Sequence, residues 1–165
     1  MTDETIPVRL LAAGDEAAES VLGGVRNRFM IDGVDTGGRF ALVQHSFAPR
    51  ALAAPMHRHR DEDEFSYVLS GRIGAVIEGR EVVAGPGDLL FKPRGQWHTF
   101  WNAGDGPAVC LELVSPAGFE ELFRSFASLS EPPTPEALAG LAGGYGCEID
   151  FEATMPLVER FGLAM

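Results

Sequence analysis

The sequence predicts an all-β sandwich or barrel that ends in a short helical segment. Gly (20 residues) and Pro (11 residues) are abundant in this chain of 165, and both residue types belong in turns. Between residues 38 and 115, short runs of β-formers alternate with Gly/Pro punctuation, the pattern of many short strands joined by turns. From residue 116 onward, apolar residues recur at helical spacing instead.

Taken in order, residues 1–37 form an N-terminal extension broken at Gly23-Gly24 and Gly37-Gly38, expected to join the sheet of the barrel. Arg39 to Phe47 reads as the first strand of the barrel proper. Glu64 to Leu69 follows and closes at Ser70-Gly71. Ile73 to Ile77 runs into Glu78-Gly79, a tight hairpin turn, and Glu81 to Ala84 resumes until Gly85-Pro86-Gly87. Leu89 to Lys92, Trp97 to Asn102 and Val109 to Val114 complete the set, so the barrel spans 38–115. In the segment 116–165, Phe119, Leu122, Phe123 and Phe126 share a helical face within Gly118 to Leu129. Pro132-Pro133 breaks that helix. Thr134 and Pro135 suit the N-cap and first position of a second helix, and a third is expected from about Pro156 to Phe161. These aromatic stripes are expected to pack the helices on the barrel.

The formal net charge is -11. Such a surface repels phosphate backbones and anionic headgroups, which argues against nucleic acid and membrane as partners. It leaves small molecules, because a bound cation would dominate its own neighbourhood. The acidic N-terminus has no basic run followed by an apolar stretch, and no segment approaches the roughly 20 apolar residues of a membrane span. Cys110 and Cys147 are too few for a disulfide scaffold. Together these features predict a cytoplasmic protein with free thiols.

The chemistry concentrates in three of the four histidines, which are His45, His57, His59 and His98. His57 and His59 are two apart, so in a strand both side chains point to one face. Glu64 follows a short charged turn at the start of the next strand, and His98 arrives from a strand far along the chain. Three imidazoles and a carboxylate make the donor set of a divalent transition metal. The spacing continues as Glu64, six residues, Gly71, and then Gly87, five residues, Pro93, one residue, Gly95, two residues, His98, three residues, Asn102. These segments resemble the two signature motifs of the cupin superfamily over about residues 40–115. The second motif matches at all its fixed positions. The first departs at its opening Gly, where Ala51 and Leu52 stand, a departure that concerns a turn and not a ligand.

The resemblance implies a double-stranded β-helix (jelly-roll) barrel like that of small single-domain cupins related to quercetin dioxygenases. It also implies a metal held by His57, His59, Glu64 and His98. Glu64 is preferred to Glu62 because its step to Gly71 fits the motif; Asp61, Glu62 and Asp63 then read as a solvated acidic turn. His45 lies outside both motifs and reads as a hydrogen-bonded barrel histidine. Pro93, Gly95 and Asn102 read as scaffold. Four protein ligands would fill a tetrahedral zinc site, whereas a six-coordinate ion keeps positions for substrate or dioxygen. Fe, Mn, Ni or Co is therefore favoured, with Zn also compatible.

Strand parity extends the site to a substrate pocket of Ser66, Val68, Gln96 and Phe100, with Met56 and Phe91 added to its wall. On the opposite face, Phe65, Tyr67, Trp97 and Trp101 need cover from the helices or from a second subunit, and the resemblance favours a homodimer. Two functions fit. One is a metal-dependent, dioxygenase-like oxidoreductase acting on a small enolic or phenolic molecule, with Glu64 doubling as a base. The other is a non-catalytic small-molecule-binding module. Isomerase, cyclase and decarboxylase activities also occur in the superfamily and would use the same ligands.

Overall fold

The computed structural model describes residues 6–15 and 19–165; the other residues of the acidic N-terminal stretch, 1–5 and 16–18, lie outside the described residues. Its strands are β1 Glu19–Leu22, β2 Val25–Ile31, β3 Ala41–Phe47, β4 Met56–His59, β5 Asp63–Ser70 and β6 Ile73–Ile77. They continue as β7 Arg80–Ala84, β8 Leu89–Lys92, β9 His98–Asn102, β10 Ala108–Ser115 and β11 Cys147–Asp150. The helices are α1 Glu120–Ser125, α2 Pro135–Gly143 and α3 Phe151–Phe161. The strands form two antiparallel sheets, ordered β1-β2-β3-β10-β5-β8 and β11-β4-β9-β6-β7. This is a jelly-roll sandwich, with β1 and β2 of the N-terminal segment extending one sheet.

Local chemistry accounts for the turns that set the registers. The β6–β7 hairpin turns on Glu78 (φ 48°) and Gly79 (φ 74°), two left-handed residues that match the twist of the flanking strands. At Gly71 (φ 76°) a Cβ would sit 2.6 Å from the Cβ of Ala108. Gly is the residue that allows β5 to end this close to β10.

Alternation then sorts the side chains. Ala41, Val43, His45 and Phe47 of β3 are buried in turn, as are Ala108, Cys110, Glu112 and Val114 of β10. The inner faces meet in a core that includes Phe47, Val68, Ile73, Leu90, Phe100 and Cys110. A second apolar cluster joins the mouth of the barrel to the helices through Val114, Phe119, Leu122, Phe126, Ala142 and Cys147. A third seats α3 on the outside of the other sheet, where Trp101 stacks on Phe161 with ring centroids 4.8 Å apart.

The structure departs from expectation in three places. The third helix begins at Phe151, because Asp150 caps it by accepting from the Ala153 amide, and Pro156 lies inside it. The strand β11 was not expected; CEID is too short to announce itself and is extended by pairing with β4. The predicted outer aromatic face finds several covers. Trp101 lies under α3, Phe65 stacks on Phe91 at 4.8 Å, and Trp97 lies beneath the Arg58 guanidinium, while Tyr67 stays exposed. The chain has no helix long and apolar enough to cross a membrane among the described residues, and both cysteines are buried free thiols.

Candidate metal centre

His57 and His59 flank Arg58 on β4, the strand between β11 and β9. His57 stands directly opposite His98 in the β4–β9 register, and Glu64 faces them from β5 in the other sheet. The two sheets thus bring together ligand-type atoms of His57, His59, Glu64 and His98 that all lie within 4.8 Å of one another. The imidazole centroids are 4.3 to 5.5 Å apart, and all four side chains are buried.

The rings are oriented from behind. His57 Nδ1 donates to the Pro55 carbonyl at 2.7 Å, and His98 Nδ1 donates to the Gln96 carbonyl at 3.1 Å. Each ring therefore presents the Nε2 lone pair at its other end. His98 Nε2 lies 3.1 Å from Glu64 Oε2, and His59 Nε2 lies 3.3 Å from Glu64 Oε1. A lone pair facing a carboxylate oxygen at that distance is stabilised only by a proton or a cation between them. Both nitrogens of His59 are buried without a hydrogen-bond partner, a costly condition in a protein interior. The orphaned imidazole and the opposed lone pairs are what a divalent cation would satisfy, so the four residues fit a metal.

Protonation agrees with that fit at His57 and His98, while at His59 the two carboxylates favour the charged ring until a cation replaces the proton. Burial holds His57 well below the usual imidazole range, helped by the charges of His98 and His59, and burial also lowers His98. Neutral imidazole is the ligating form. His59 is pushed down by burial, but Glu64 and then Glu62 outweigh that and raise it. Burial would raise Glu64, yet Lys92 and His59 bring it well below the ordinary carboxylate value.

Sequence reasoning missed two parts of this centre. The first is a buried ion-pair chain. Lys92 Nζ lies 3.2 Å from Glu64 Oε2 and 2.6 Å from Glu112 Oε1, and Ser66 Oγ donates to Glu112 Oε2. The same ammonium sits 3.7 Å from the centroid of Phe100. Glu112 and Glu64 keep Lys92 charged despite its burial, and burial pushes Glu112 up to about 7. Parity carried the signal: Lys92 alternates with buried Leu90, and Glu112 sits between Cys110 and Val114 on the inner face of β10. The second is Glu62, read as part of a solvated turn but only 8 % exposed. Its Oε2 lies 3.6 Å from His59 Nδ1, and neither atom has another partner. That is the position of the carboxylate that commonly orients a metal-bound histidine.

A cavity opens from this cluster. His57 and Glu64 form part of its wall with Asn27, His45 and Phe100 of the barrel. Phe119, Leu122, Phe123 and Phe126 close it from α1 and the residues on either side of it, and Leu138, Ala142, Cys147 and Ile149 from α2 and β11. The expected packing of the helices on the barrel thus also roofs this space. The cavity holds about 80 Å³, small beside the roughly 300–1,000 Å³ of drug-sized ligand pockets. Of the residues predicted to line a pocket, Phe100 does so; Ser66 and Val68 do not, because Ser66 is fully buried against Glu112 and Val68 is fully buried in the core. Three more need correction. Phe91 is 49 % exposed, because Leu90 and Lys92 take the inward parity of β8. Met56 precedes inward His57, so it points away and packs with Trp101. Gln96 precedes β9 and contributes its carbonyl to His98.

Comparison with known proteins agrees with this geometry. The family model described as Cupin domain matches residues 43–114. The chain is 25% identical over 114 residues to the tetracenomycin polyketide synthase protein TcmJ of Streptomyces glaucescens, covering 69% of this chain and 76% of that one. It is 26% identical over 142 residues to quercetin 2,3-dioxygenase of Bacillus subtilis, spanning 84% of this chain but 41% of that enzyme's length. A solved structure of a predicted oxalate decarboxylase from Thermotoga maritima superposes with a TM-score of 0.61 at 18% identity, covering 66% of this chain and 99% of that one.

Two expectations follow. Glu62→Gln weakens metal affinity by about tenfold to a hundredfold, read by competition against a chromophoric chelator; an unchanged affinity would make Glu62 a bystander. Lys92→Met strands two buried carboxylates and lowers the stability of the metal-free protein by about 3–5 kcal/mol. Adding Glu112→Met recovers part of that loss. Denaturant midpoints measure both, and a wild-type midpoint for Lys92→Met would contradict the ion-pair account.

Proposed function

We propose that this chain, a member of the cupin superfamily, is a metal-dependent, dioxygenase-like enzyme acting on a small enolic or phenolic molecule. The observation that carries the reading is the shared wall. His57 and Glu64 line a cavity whose other surfaces are almost wholly apolar and aromatic. His57, His59, Glu64 and His98 would hold one divalent transition metal, with Fe, Mn, Ni or Co preferred and Zn compatible. When bound, such an ion supplies Lewis acidity and open positions at which an anionic oxygen can be oriented.

The protein's own residues do the rest. Phe100, Phe119, Phe123 and Phe126 exclude water and offer ring faces to an apolar body. Lys92 keeps Glu64 ionised and holds one of its oxygens, so Glu64 would act as a base only when its other oxygen, which faces His59, detaches from the bound ion. The relatives named for a polyketide synthase protein and for the dioxygenation of quercetin support an oxygenated, unsaturated substrate class. The small cavity favours a molecule of about one ring over a multi-ring one. We place the protein in the cytoplasm as a homodimer; exposed Tyr67, Leu69, Leu89 and Phe91 on β5 and the edge strand β8 support a surface for a second copy.

Protein purified without added metal is expected to carry about one transition-metal ion per chain by elemental analysis, and His98→Ala to lose it. Oxygen uptake is expected with catechols and small diketones, and less with flavonols. Metal content unchanged in His98→Ala would contradict the site. Bound zinc without an exchangeable position, together with no oxygen uptake, would contradict the oxygenase reading in favour of a binding module.

A further inference from the structure

The cavity has a second polar point that the metal cluster does not use. His45 is 4 % exposed and lines the cavity from β3. It belongs to a row across the sheet: Ser20 on β1 pairs with Asn27 on β2, Asn27 with His45 on β3, and His45 with Cys110 on β10. Asn27 Nδ2 donates to Ser20 Oγ at 3.1 Å, and this orients its carbonyl oxygen toward His45 Nδ1 at 2.7 Å. An amide oxygen only accepts, so Nδ1 carries the hydrogen and Nε2 carries a lone pair. No hydrogen bond to Nε2 is present among the described residues, and Nε2 is not one of the fully enclosed unpaired atoms, so it borders open space in the cavity that His45 lines. The ring is wedged between Phe47, Phe100 and Phe123, with centroids 5.4 to 6.2 Å away.

We infer that His45 is a specificity-determining residue, whose Nε2 accepts a hydrogen bond from a hydroxyl or N–H group of the substrate. This rests on the proposed function for the other end of the molecule, which reaches His57 and Glu64 in the same cavity. A fixed acceptor in an apolar wall discriminates sharply, because a ligand without a donor leaves a buried lone pair unpaired. Burial and the nearby charge of Lys92 lower the His45 pKa to about 4, so the acceptor form is the one present at neutral pH. Asn27 acts through His45 as a positioning residue. It stands on β2, outside the 43–114 family match, so a segment added to the barrel supplies the orientation.

The test uses phenol and toluene, ligands of similar size that differ in one donor. Their affinities are measured by calorimetry on the metal-free and the metal-loaded full chain. In the metal-free protein, His45→Phe is expected to lower the phenol-to-toluene affinity ratio by about tenfold. Asn27→Leu is expected to lower it as well, by freeing the ring. His45→Leu gives the same reading should the phenylalanine variant fold poorly. A ratio unchanged in His45→Phe and His45→Leu, or a wild-type protein that binds neither ligand, would overturn the inference. Because the reading is made without metal, failure of the metal proposal leaves it intact, and failure of the His45 proposal leaves metal content untouched.

Discussion

The carboxylate of Glu64 is buried at the centre of the molecule, and its charge sets the conditions that its neighbours must meet. An ionised carboxylate away from water is costly unless it is paired. Here Lys92 takes one oxygen, and the two imidazoles of His59 and His98 crowd the inner edge. Lys92 is itself buried, so it needs Glu112, and Glu112 needs the Ser66 hydroxyl. The polar interior is therefore one chain of obligations that runs from β4 and β9 across to β5, β8 and β10.

The jelly roll suits this arrangement because alternation lets strands from both sheets send polar residues inward without opening the core. Inward neighbours of the polar groups are small or apolar: Val68 beyond Ser66, Leu90 beside Lys92, and Cys110 and Val114 around Glu112. The polar chain is thus enclosed in a packed apolar shell, where low local polarity strengthens each hydrogen bond. The helices complete the enclosure. Phe119 lies edge-on to His59 at 4.3 Å and also walls the cavity, so the same residue bounds the metal cluster and the space beside it.

The parts legible in the sequence were those that depend on spacing along one or two strands. His57, His59, Glu64, Gly71 and His98 stand at set intervals, and those intervals follow from the pleat and from turns that need Gly. The strands β3 and β5 to β10 were legible for the same reason, with ends displaced by one or two residues as hydrogen bonding decided them, whereas β11 is set by its pairing with β4. Lys92 and Glu112 were not legible, since a charged residue in a strand is ordinarily solvated and only the neighbouring sheet reveals that it has a partner. Phe91 shows how sensitive parity is: one step along β8 exchanges the core for the surface. Met56 and Gln96 fell to the same rule, one beside an inward residue and the other before its strand begins. Glu62 was hidden in an acidic run of four, where burial of one member depends on how the β4–β5 turn folds back on His59.

X-ray absorption at the edge of the metal in the reconstituted protein tests the central claim most directly. The account predicts three imidazole nitrogens and one carboxylate oxygen around a single ion, supplied by His57, His59, His98 and Glu64, with remaining positions filled by exchangeable light atoms. Sulfur in the shell, or fewer than three imidazoles, would contradict it.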